Sequence, residues 1–459
     1  MLESQIRPHH VMYLEDIRVH GFKGIRDLRF KPNRINLITG PNNSGKTSFL
    51  ESLNLVFNPQ IISEWEDNID YLINAKSKTA AIDCEFSGHQ TTFNDFSDTD
   101  KDDSRLKNRE LGLRPPRKSE ALDAFVDVLL TLSSQGPDTD YYVDRLFGRT
   151  LSPEDFETIT DDSQFHEIVD ESLRETIITA SEDLDQSTIR DSCIVLSVDG
   201  EEYPYIYLED SIYSGLRAEI SNMAARRALT KLYHEEDEIF ANEDQINRLQ
   251  QMFSDLLIPR LGKDRFVYEK PSSVGQVVFA NTETVTGENV DLSKNNGAVR
   301  LQNIEKYVKK TSILRNLEDL SFDYLVFNED GEEYQVPYGF MGQGFQQVMT
   351  ILWELYKSDV SETVFLLEEA ENHMHPGYVN KLVYFLVDLA MEEEIQLFIT
   401  THDLDFLDAF FSQNIGNDEV SFLKDHFKLL KMGRRYSEQL DYSQAEKELE
   451  DIHTDLRGI

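Results

Sequence analysis

The first sixty residues show two spacings of hydrophobic side chains. Hydrophobic and polar residues alternate over 12–22 and 25–30, which predicts two strands separated by a turn at Gly24. Residues 35–39 are mostly apolar and predict a short buried strand. Apolar residues then recur at three- and four-residue intervals over 46–57, which predicts an amphipathic helix.

The middle of the chain has a less regular pattern. Residues 79–86 predict another strand. Between about 95 and 190, Asp-rich stretches alternate with short amphipathic pieces, which favours a solvated helical insertion. Residues 192–208 predict a β-hairpin, and helical periodicity returns over about 212–260 and 300–320.

The pattern becomes regular again after residue 321. Residues 322–337 predict a second hairpin, and the charged residues 436–459 predict a polar helical tail. Between them, helices and buried strands are predicted in alternation: a helix over 345–356, a strand over 364–367, a helix over 378–391 and a strand over 395–400. Strands that alternate with helices form a parallel sheet.

Composition narrows the possible partners. The 459 residues are 40% hydrophobic, enough for about two to four domains with sizeable cores. The net charge of −40 predicts a surface that repels phosphate backbones, because nucleic-acid affinity derives largely from Lys and Arg. Solubility or salt adaptation is the ordinary explanation of such acidity.

The cysteines and the N-terminus favour a cytoplasmic protein. Cys84 and Cys193 have no C-x-x-C spacing, so neither a disulfide framework nor a zinc module is expected, and both are predicted to be buried. Residues 1–7 lack the apolar core of a signal peptide, and no run of about 18 apolar residues predicts a membrane span. No membrane partner is therefore expected.

A glycine-rich string follows the third predicted strand and precedes the first helix, in the order that a phosphate loop requires. The predicted nucleotide-binding residues of this string are Gly40, Pro41, Asn42, Asn43, Ser44, Gly45, Lys46, Thr47 and Ser48. Its glycines allow successive N–H groups to face phosphate oxygens. Lys46 is expected to reach the β- and γ-phosphates, and Thr47 to offer its hydroxyl to Mg²⁺.

Two carboxylates end the apolar run at 364–367. Acids at the carboxyl end of a buried strand face the crevice in which α/β sheets bind ligands. We expect Glu368 to hold Mg²⁺ and Glu369 to orient or deprotonate the attacking water. The alternative is a helix N-terminus that favours acids for its dipole.

Histidines follow both of the last predicted strands. His402 comes directly after the strand at 395–400, from where it could contact a γ-phosphate. His373 and His375 could suggest a metal site, but no further ligands occur at metal-binding spacing, so a metal at this pair is not expected.

Together with the phosphate loop, four strings resemble the ABC-type ATPase heads of the OLD and RecF/SMC-like group. They are Phe22-Lys23-Gly24-Ile25, Gly342-Gln343-Gly344-Phe345-Gln346-Gln347, Glu368-Glu369-Ala370-Glu371-Asn372-His373-Met374-His375-Pro376 and Ile399-Thr400-Thr401-His402-Asp403. The resemblance covers about 12–60 and 320–410.

The resemblance implies a fold and a way of binding ATP. The fold would be an α/β ABC-type P-loop ATPase head, with a mixed sheet, a parallel core sheet flanked by helices and a helical insertion. Two heads would sandwich two ATP–Mg²⁺ complexes. Gly342, Gln343 and Gly344 would then form the signature that caps the nucleotide of the other head, and His402 would be the switch histidine.

Some residues depart from the pattern of the group. Gln343 replaces the usual Ser of the signature, Glu368 stands where Asp is commoner, and Ala370 replaces the usual Pro. Gln90 is a weak candidate for the Mg²⁺-sensing glutamine. The departures leave ATP binding expected and put the speed of turnover in question.

The motifs suggest four segments. Residues 1–95 would form an ATPase lobe with the phosphate loop, and 96–320 a helical insertion and connecting lobe. Residues 321–435 would form a lobe with the signature, the Walker B acids and the switch histidine, followed by the tail at 436–459.

The leading functional hypothesis is a stand-alone head. The TOPRIM nuclease domain of OLD proteins and the long coiled coils of SMC proteins are not recognisable here. The chain then resembles the ATPase subunits of two-gene bacterial anti-phage systems of the PARIS or Septu type. This resemblance implies an oligomeric ATP-dependent sensor or scaffold that controls a separate effector protein such as a nuclease.

Two other functions remain open. Basic stretches at 101–120 and 294–315 could support a RecF-like DNA-binding ATPase, although most charge runs are only solvated faces. A third possibility is a structural module that binds nucleotide and barely hydrolyses it.

Overall fold

The computed structural model divides into two compact units. The first unit comprises Met1–Pro59, Asn74–Leu111 and Ser272–Ile459, and the second comprises Gln60–Ile73 and Gly112–Pro271. The structure describes residues 12–87, 107–117, 119–134, 163–183, 192–207, 210–232, 247, 277–279, 285–287, 289–294, 296–310, 314–356, 364–372, 374, 376–392, 395–412, 416–433 and 436–452.

Fifteen strands lie in the described part of the chain. They are β1 (Tyr13–Phe22), β2 (Ile25–Phe30), β3 (Ile35–Thr39), β4 (Ala80–Ser87), β5 (Lys107–Arg114), β6 (Cys193–Val198), β7 (Glu201–Ile206), β8 (Val277–Phe279), β9 (Leu317–Leu320), β10 (Tyr324–Glu329), β11 (Glu332–Pro337), β12 (Val364–Glu368), β13 (Gln396–Thr400), β14 (Phe427–Met432) and β15 (Ser437–Asp441).

The helices of the same ranges connect these strands. They are α1 (Lys46–Phe57), α2 (Glu120–Ser134), α3 (Ser163–Asp183), α4 (Asp210–Leu232), α5 (Gly297–Lys310), α6 (Gln343–Leu355), α7 (Pro376–Glu392), α8 (Leu404–Ala409), α9 (Asn417–His426) and α10 (Tyr442–Ile452). Two 3₁₀ segments, Pro59–Leu72 and Tyr338–Phe340, complete the set.

The core of the first unit is a sheet of six strands in the order β15-β14-β3-β13-β12-β8. Five of these strands run parallel, and β15 pairs antiparallel with β14. Strands β3 and β13 are buried along their whole length, as expected for parallel strands covered on both faces. The carboxyl ends of β14, β3, β13 and β12 therefore meet at one edge of the sheet.

Two further sheets accompany the core sheet. In one, β1 pairs antiparallel with β2 and with β4, and β5 lies next to β4. The other is antiparallel, with the order β11-β10-β9. Helix α1 packs between the first of them and the core sheet. The rings of Phe30, Phe49 and Phe398 meet there with centroids 5.9 to 6.4 Å apart.

A buried glutamine joins these two sheets. Gln396 on β13 is 2% exposed. Its amide accepts a hydrogen bond from the Leu14 N–H at 2.9 Å and donates to the carbonyl oxygens of Leu14 and Asn33 at 3.0 and 2.9 Å. The side chain thus satisfies β1 backbone groups that would otherwise be buried without partners.

The second unit contains helices α2, α3 and α4 and the β6–β7 hairpin. The hairpin turns at Asp199 and Gly200, which have φ values of 51° and 91°, and this confirms the hairpin predicted at 192–208. Helices α3 and α4 pack together, and the Lys231 ammonium lies 2.9 and 3.1 Å from the carboxylates of Glu171 and Glu175.

The predicted fold class is confirmed, with differences at three strands. Strand β5 lies inside the segment predicted to be a helical insertion. Its inward face includes Arg109, which is 6% exposed and donates from Nε to the Val56 carbonyl at 3.2 Å. Because a charged residue lies on the buried face, the sequence lacks the alternation of apolar and polar residues that predicts a strand. Strand β9 likewise occupies the end of the helix predicted at 300–320, because only its two terminal leucines are buried.

The predicted polar tail also differs from the structure. It begins with strand β15 and continues as helix α10. Leu440, Tyr442 and Ala445 are buried in the core of the first unit, and the Tyr442 hydroxyl donates to the Phe410 carbonyl at 3.2 Å. A few apolar residues anchor this segment to the core. Because charged residues dominate its composition, the sequence predicts a polar tail instead.

Candidate nucleotide site

The phosphate loop connects β3 to α1 through unusual backbone conformations. Gly40, Asn43 and Gly45 have φ values of 149°, 63° and 97°. A Cβ atom at Gly40 would lie only 2.0 Å from the Met432 carbonyl oxygen. Glycine is therefore required at Gly40, both for the left-handed backbone and for the close approach of β14.

Lys46 lies inside this loop. It is 7% exposed, and its ammonium donates to the carbonyl oxygens of Gly40 at 2.8 Å and Pro41 at 3.3 Å. Burial lowers the Lys46 pKa, and the nearby carboxylates of Glu369, Glu368 and Glu371 oppose that change. A lysine held here is placed to contact phosphate oxygens bound by the loop.

The structure brings Thr47 and Glu368 together, although 321 residues separate them. The Thr47 hydroxyl donates to Glu368 Oε1. The contact arises because β3 and β12 flank β13 in parallel, so their carboxyl ends share one edge. A hydroxyl beside a carboxylate is the oxygen donor set that fits Mg²⁺, which takes few protein ligands and completes its shell with water and phosphate.

Glu369 adopts a strained conformation at the end of β12. Its φ is 45°, a left-handed value that costs a residue other than glycine about 1–3 kcal/mol. Its N–H donates to the Thr400 carbonyl at 3.1 Å. Its carboxylate lies 3.1 Å from His402 Nδ1 and accepts a hydrogen bond from the Asn372 amide at 3.0 Å.

The predicted residues Glu369 and His402 are therefore neighbours in the structure. Both side chains are partly exposed, 31% and 46%, so water can reach the pair. Asn372 completes the arrangement through its hydrogen bond to Glu369, a role that its residue type alone does not predict. Its place in the same acidic string, three residues after Glu369, was the only sequence signal for it.

A second carboxylate lies buried behind this pair. Glu371 is 4% exposed, and its Oε1 accepts a hydrogen bond from the Thr401 hydroxyl at 2.5 Å. Among the described residues, its Oε2 has no hydrogen-bond partner. Burial raises the pKa of Glu371 to about 7. The Thr401 hydroxyl also accepts from the Asp403 N–H at 3.0 Å, so these contacts connect the loops after β12 and β13.

The predicted signature lies at the start of α6. Gly342 is the N-cap residue, without a side-chain hydrogen bond to cap the helix, and both Gly342 and Gln343 are exposed. A Cβ atom at Gly344 would lie 3.5 Å from Met374 and Tyr378. In the described part of the chain, no hydrogen bond joins Gly342–Gly344 to the phosphate loop of the same head.

A family model for an AAA ATPase domain matches residues 12–407. The chain belongs to this family. It is therefore an ATPase and uses ATP. A comparison with curated proteins found no match.

Solved structures with similarity to the chain include SMC head domains and RecF. The SMC head domain from Thermotoga maritima is 9% identical, with a TM-score of 0.40 over 93% of this chain and 98% of that chain. The Smc head from Pyrococcus yayanosii is 12% identical, with a TM-score of 0.40 over 97% and 100%. The recombination mediator RecF is 13% identical, with a TM-score of 0.33 over 94% and 99%.

Several predictions concern other positions. Gln90, His373 and His375 lie outside the described residues. Within those residues, no group of three or more His, Cys, Asp or Glu side chains could hold a metal ion. Cys84 and Cys193 are buried free thiols, and burial raises the pKa of both. None of the described helices combines the length and hydrophobicity needed to span a bilayer.

Proposed function

We propose that this ATPase acts as a dimer of heads with two nucleotides between them. The supporting observation is the exposed α6 N-terminus at Gly342 and Gln343, where no side-chain cap is formed among the described residues. The first N–H groups of a helix have no partner within the helix. Such a helix end binds anions. In the proposed dimer it faces the γ-phosphate held by the phosphate loop of the second copy.

The chemistry assigned to each residue follows from the site. Lys46 would hold the β- and γ-phosphates, and Thr47 and Glu368 would hold Mg²⁺, which would supply positive charge beside the phosphates. Glu369 accepts a proton from the water that attacks the γ-phosphorus, as the bond from that phosphorus to the ADP oxygen breaks. His402 orients the Glu369 carboxylate, and Asn372 holds its other oxygen.

We further propose that nucleotide turnover controls a separately encoded effector, such as a nuclease, in a bacterial anti-phage system. The motif strings support this role through their resemblance to the ATPase subunits of two-gene systems. The acidic surface supports a basic protein partner. Helix α3 offers a candidate docking face, because Glu167 and Asp170 are exposed on it, beside Glu171, which pairs with Lys231.

A RecF-like DNA-binding ATPase is the alternative, and the basic stretches give it little support. In the stretch at 294–315, three lysines form ion pairs with carboxylates, Lys294, Lys309 and Lys310. Arg300 is buried against the Trp353 ring, 3.5 Å from its centroid. These four cations have partners within the protein, whereas Lys306 and Arg315 of the same stretch are exposed.

In the described part of the stretch at 101–120, arginines also have partners within the protein. Arg114 pairs with Glu120 and Glu202, each at 2.8 Å. Arg109 is buried, as its contact with the Val56 carbonyl requires. Most of the described cations in the two basic stretches therefore have partners within the protein, which favours the protein scaffold over a DNA clamp.

Glu369→Gln tests the dimer and the base together. The amide keeps the shape of the side chain but cannot accept the proton. We expect the variant to bind ATP, to hydrolyse it at least 100-fold more slowly than the wild type, by the usual contribution of a general base, and to elute as a dimer in ATP and Mg²⁺. Lys46→Ala is the control that should bind no ATP and remain unassembled. Hydrolysis by Glu369→Gln at the native rate would remove Glu369 from the mechanism and point to Glu371 or His402.

Copurification from the native operon tests the partner. We expect Glu369→Gln to retain a protein effector. The double variant Glu167→Lys/Asp170→Lys should keep ATPase activity and lose that effector. Deletion of residues 100–185 would be a poor test, because it would also remove strand β5 from the sheet of the first unit. Tight DNA binding that weakens steeply with salt, without any protein partner, would favour the RecF-like alternative.

A further inference from the structure

A groove lies between helices α3 and α4 of the second unit. Its volume is about 580 Å³, within the range of about 300–1,000 Å³ that is usual for small-molecule sites. The Lys231 ammonium lies 3.1 Å from the Glu175 carboxylate. One turn earlier on α4, Arg227 contacts Thr179, which lies one turn later on α3. The two helices therefore run antiparallel along the groove, and the proposed ATPase chemistry uses none of its side chains.

Two arginines of α4 line this groove. The Arg227 guanidinium donates to the Thr179 hydroxyl at 2.8 Å, and that hydroxyl donates in turn to the Glu175 carbonyl at 2.8 Å. These bonds fix one guanidinium in the groove. The Arg226 side chain is exposed and has no hydrogen-bond or ion-pair partner among the described residues. Its N–H groups are therefore open to a ligand.

The groove is basic on a chain that is acidic overall. The sequence has 85 acidic and 45 basic residues. In the groove, three cationic side chains accompany one carboxylate, that of Glu175. Lys231 pairs with both Glu171 and Glu175, at 2.9 and 3.1 Å. Among the described residues no carboxylate pairs with Arg226 or Arg227, so two positive charges remain uncompensated in this part of the structure.

We propose that this groove binds a small molecule that carries phosphate groups. Guanidinium groups form paired, charge-assisted hydrogen bonds with phosphate oxygens, and two of them balance a dianion. Ile178 also lines the groove and is 44% exposed, so it offers apolar surface to the organic part of the ligand. The proposal does not depend on the nucleotide site, because the phosphate loop belongs to the first unit.

The neighbouring charges favour a small ligand over a nucleic-acid strand. The α3 face that carries Thr179 and Glu175 continues through Glu171 and Glu167 at four-residue spacing. A strand of nucleic acid that followed this face would bring its phosphates against those carboxylates, which repel them. A ligand confined to the groove avoids that repulsion.

Isothermal titration of the full chain with pyrophosphate tests the proposal. The Lys46→Ala protein isolates the groove, because its phosphate loop should no longer hold phosphates. We expect this protein to bind one pyrophosphate ion per chain. In the same background, Arg226→Gln and Arg227→Gln should each weaken binding by about 10- to 150-fold, the usual effect of losing a hydrogen bond from a charged group. Glutamine in place of Arg227 can still donate to Thr179, so the contact between the helices is retained.

Two matched variants test the electrostatic argument. Arg174→Gln removes an exposed arginine of α3 that does not line the groove, and it should leave the affinity for pyrophosphate unchanged. Glu175→Gln removes the carboxylate that lines the groove, while Glu171 still pairs with Lys231. We expect it to strengthen pyrophosphate binding about two- to fivefold, because a repulsive charge is lost.

The same titrations can refute the proposal. It is wrong if the Lys46→Ala protein binds no pyrophosphate, or if the arginine variants bind pyrophosphate as tightly as their parent. Citrate that binds as tightly as pyrophosphate would also overturn it, because the groove would then select anions in general instead of phosphates. Wild-type rates of ATP hydrolysis by Arg226→Gln and Arg227→Gln, made without the Lys46 change, would show that a loss of pyrophosphate binding comes from the groove and not from misfolding.

Discussion

The buried carboxyl of Glu371 makes a measurable prediction about stability. Its pKa is raised from 4.5 to about 7 in the folded protein because the side chain is removed from water. Between these two values the unfolded chain has released its proton while the folded chain still holds it. Stability therefore falls as pH rises through this window and levels off above about pH 7. The pKa difference corresponds to about 3 kcal/mol.

Glu371→Gln should remove this pH dependence. Glutamine cannot ionise, and its carbonyl can still accept the hydrogen bond that Thr401 donates at 2.5 Å. We expect the variant to gain stability relative to the wild type by up to about 3 kcal/mol between pH 5 and pH 8. Urea unfolding at several pH values, with EDTA and without nucleotide, measures this gain. Glu333→Gln, at an exposed position on β11, is the matched control and should show no such trend. A difference between Glu371→Gln and the wild type that stays constant from pH 5 to pH 8 would refute the argument.

Three further changes test the site and its frame. Lys46→Arg should bind ATP at least tenfold more weakly than the wild type in a titration. The larger guanidinium does not fit between the two loop carbonyls that Lys46 contacts at 2.8 and 3.3 Å. Binding of ATP with the wild-type affinity would contradict this explanation. Gly40→Ala should lower stability in urea by about 3 kcal/mol, from backbone strain and the clash with Met432, and a neutral effect would show that the loop can move. Gln396→Leu should cost about 3 kcal/mol in the same assay by leaving buried backbone groups unpaired, whereas Gln439→Leu, which loses similar bonds at an exposed site, should cost less than about 1 kcal/mol. Equal costs for the two glutamines would show that burial does not decide the effect.

Periodic apolar residues made the parallel core predictable. Strands β3 and β13 are short apolar runs between turn residues, and each is followed by polar chemistry at its carboxyl end. Few topologies are possible for parallel strands that alternate with helices. Motifs that follow different strands therefore meet at one edge of the sheet. This logic predicts that Thr47 and Glu368 lie close together, and the structure shows a hydrogen bond between them.

The strands that escaped prediction have polar residues where strands usually carry apolar ones. Arg109 faces inward on β5 because its guanidinium donates to a backbone carbonyl. The residues around Arg109 in the sequence do not predict that distant partner. Strand β15 exposes most of its side chains and buries Leu440. Tertiary contacts determine that these segments form strands, and the spacing of apolar residues does not show such contacts.

The same limit applies to chemistry within the site. The acidic string offered Glu368, Glu369 and Glu371 as similar side chains at adjacent positions. The structure separates them by environment: one carboxylate meets Thr47, one meets His402, and one is buried against Thr401. Positive φ at Glu369 turns the chain there, so that the third acid points away from solvent. A single backbone conformation therefore places three identical functional groups in three environments: beside the Thr47 hydroxyl, beside the His402 ring and in the buried contact with Thr401.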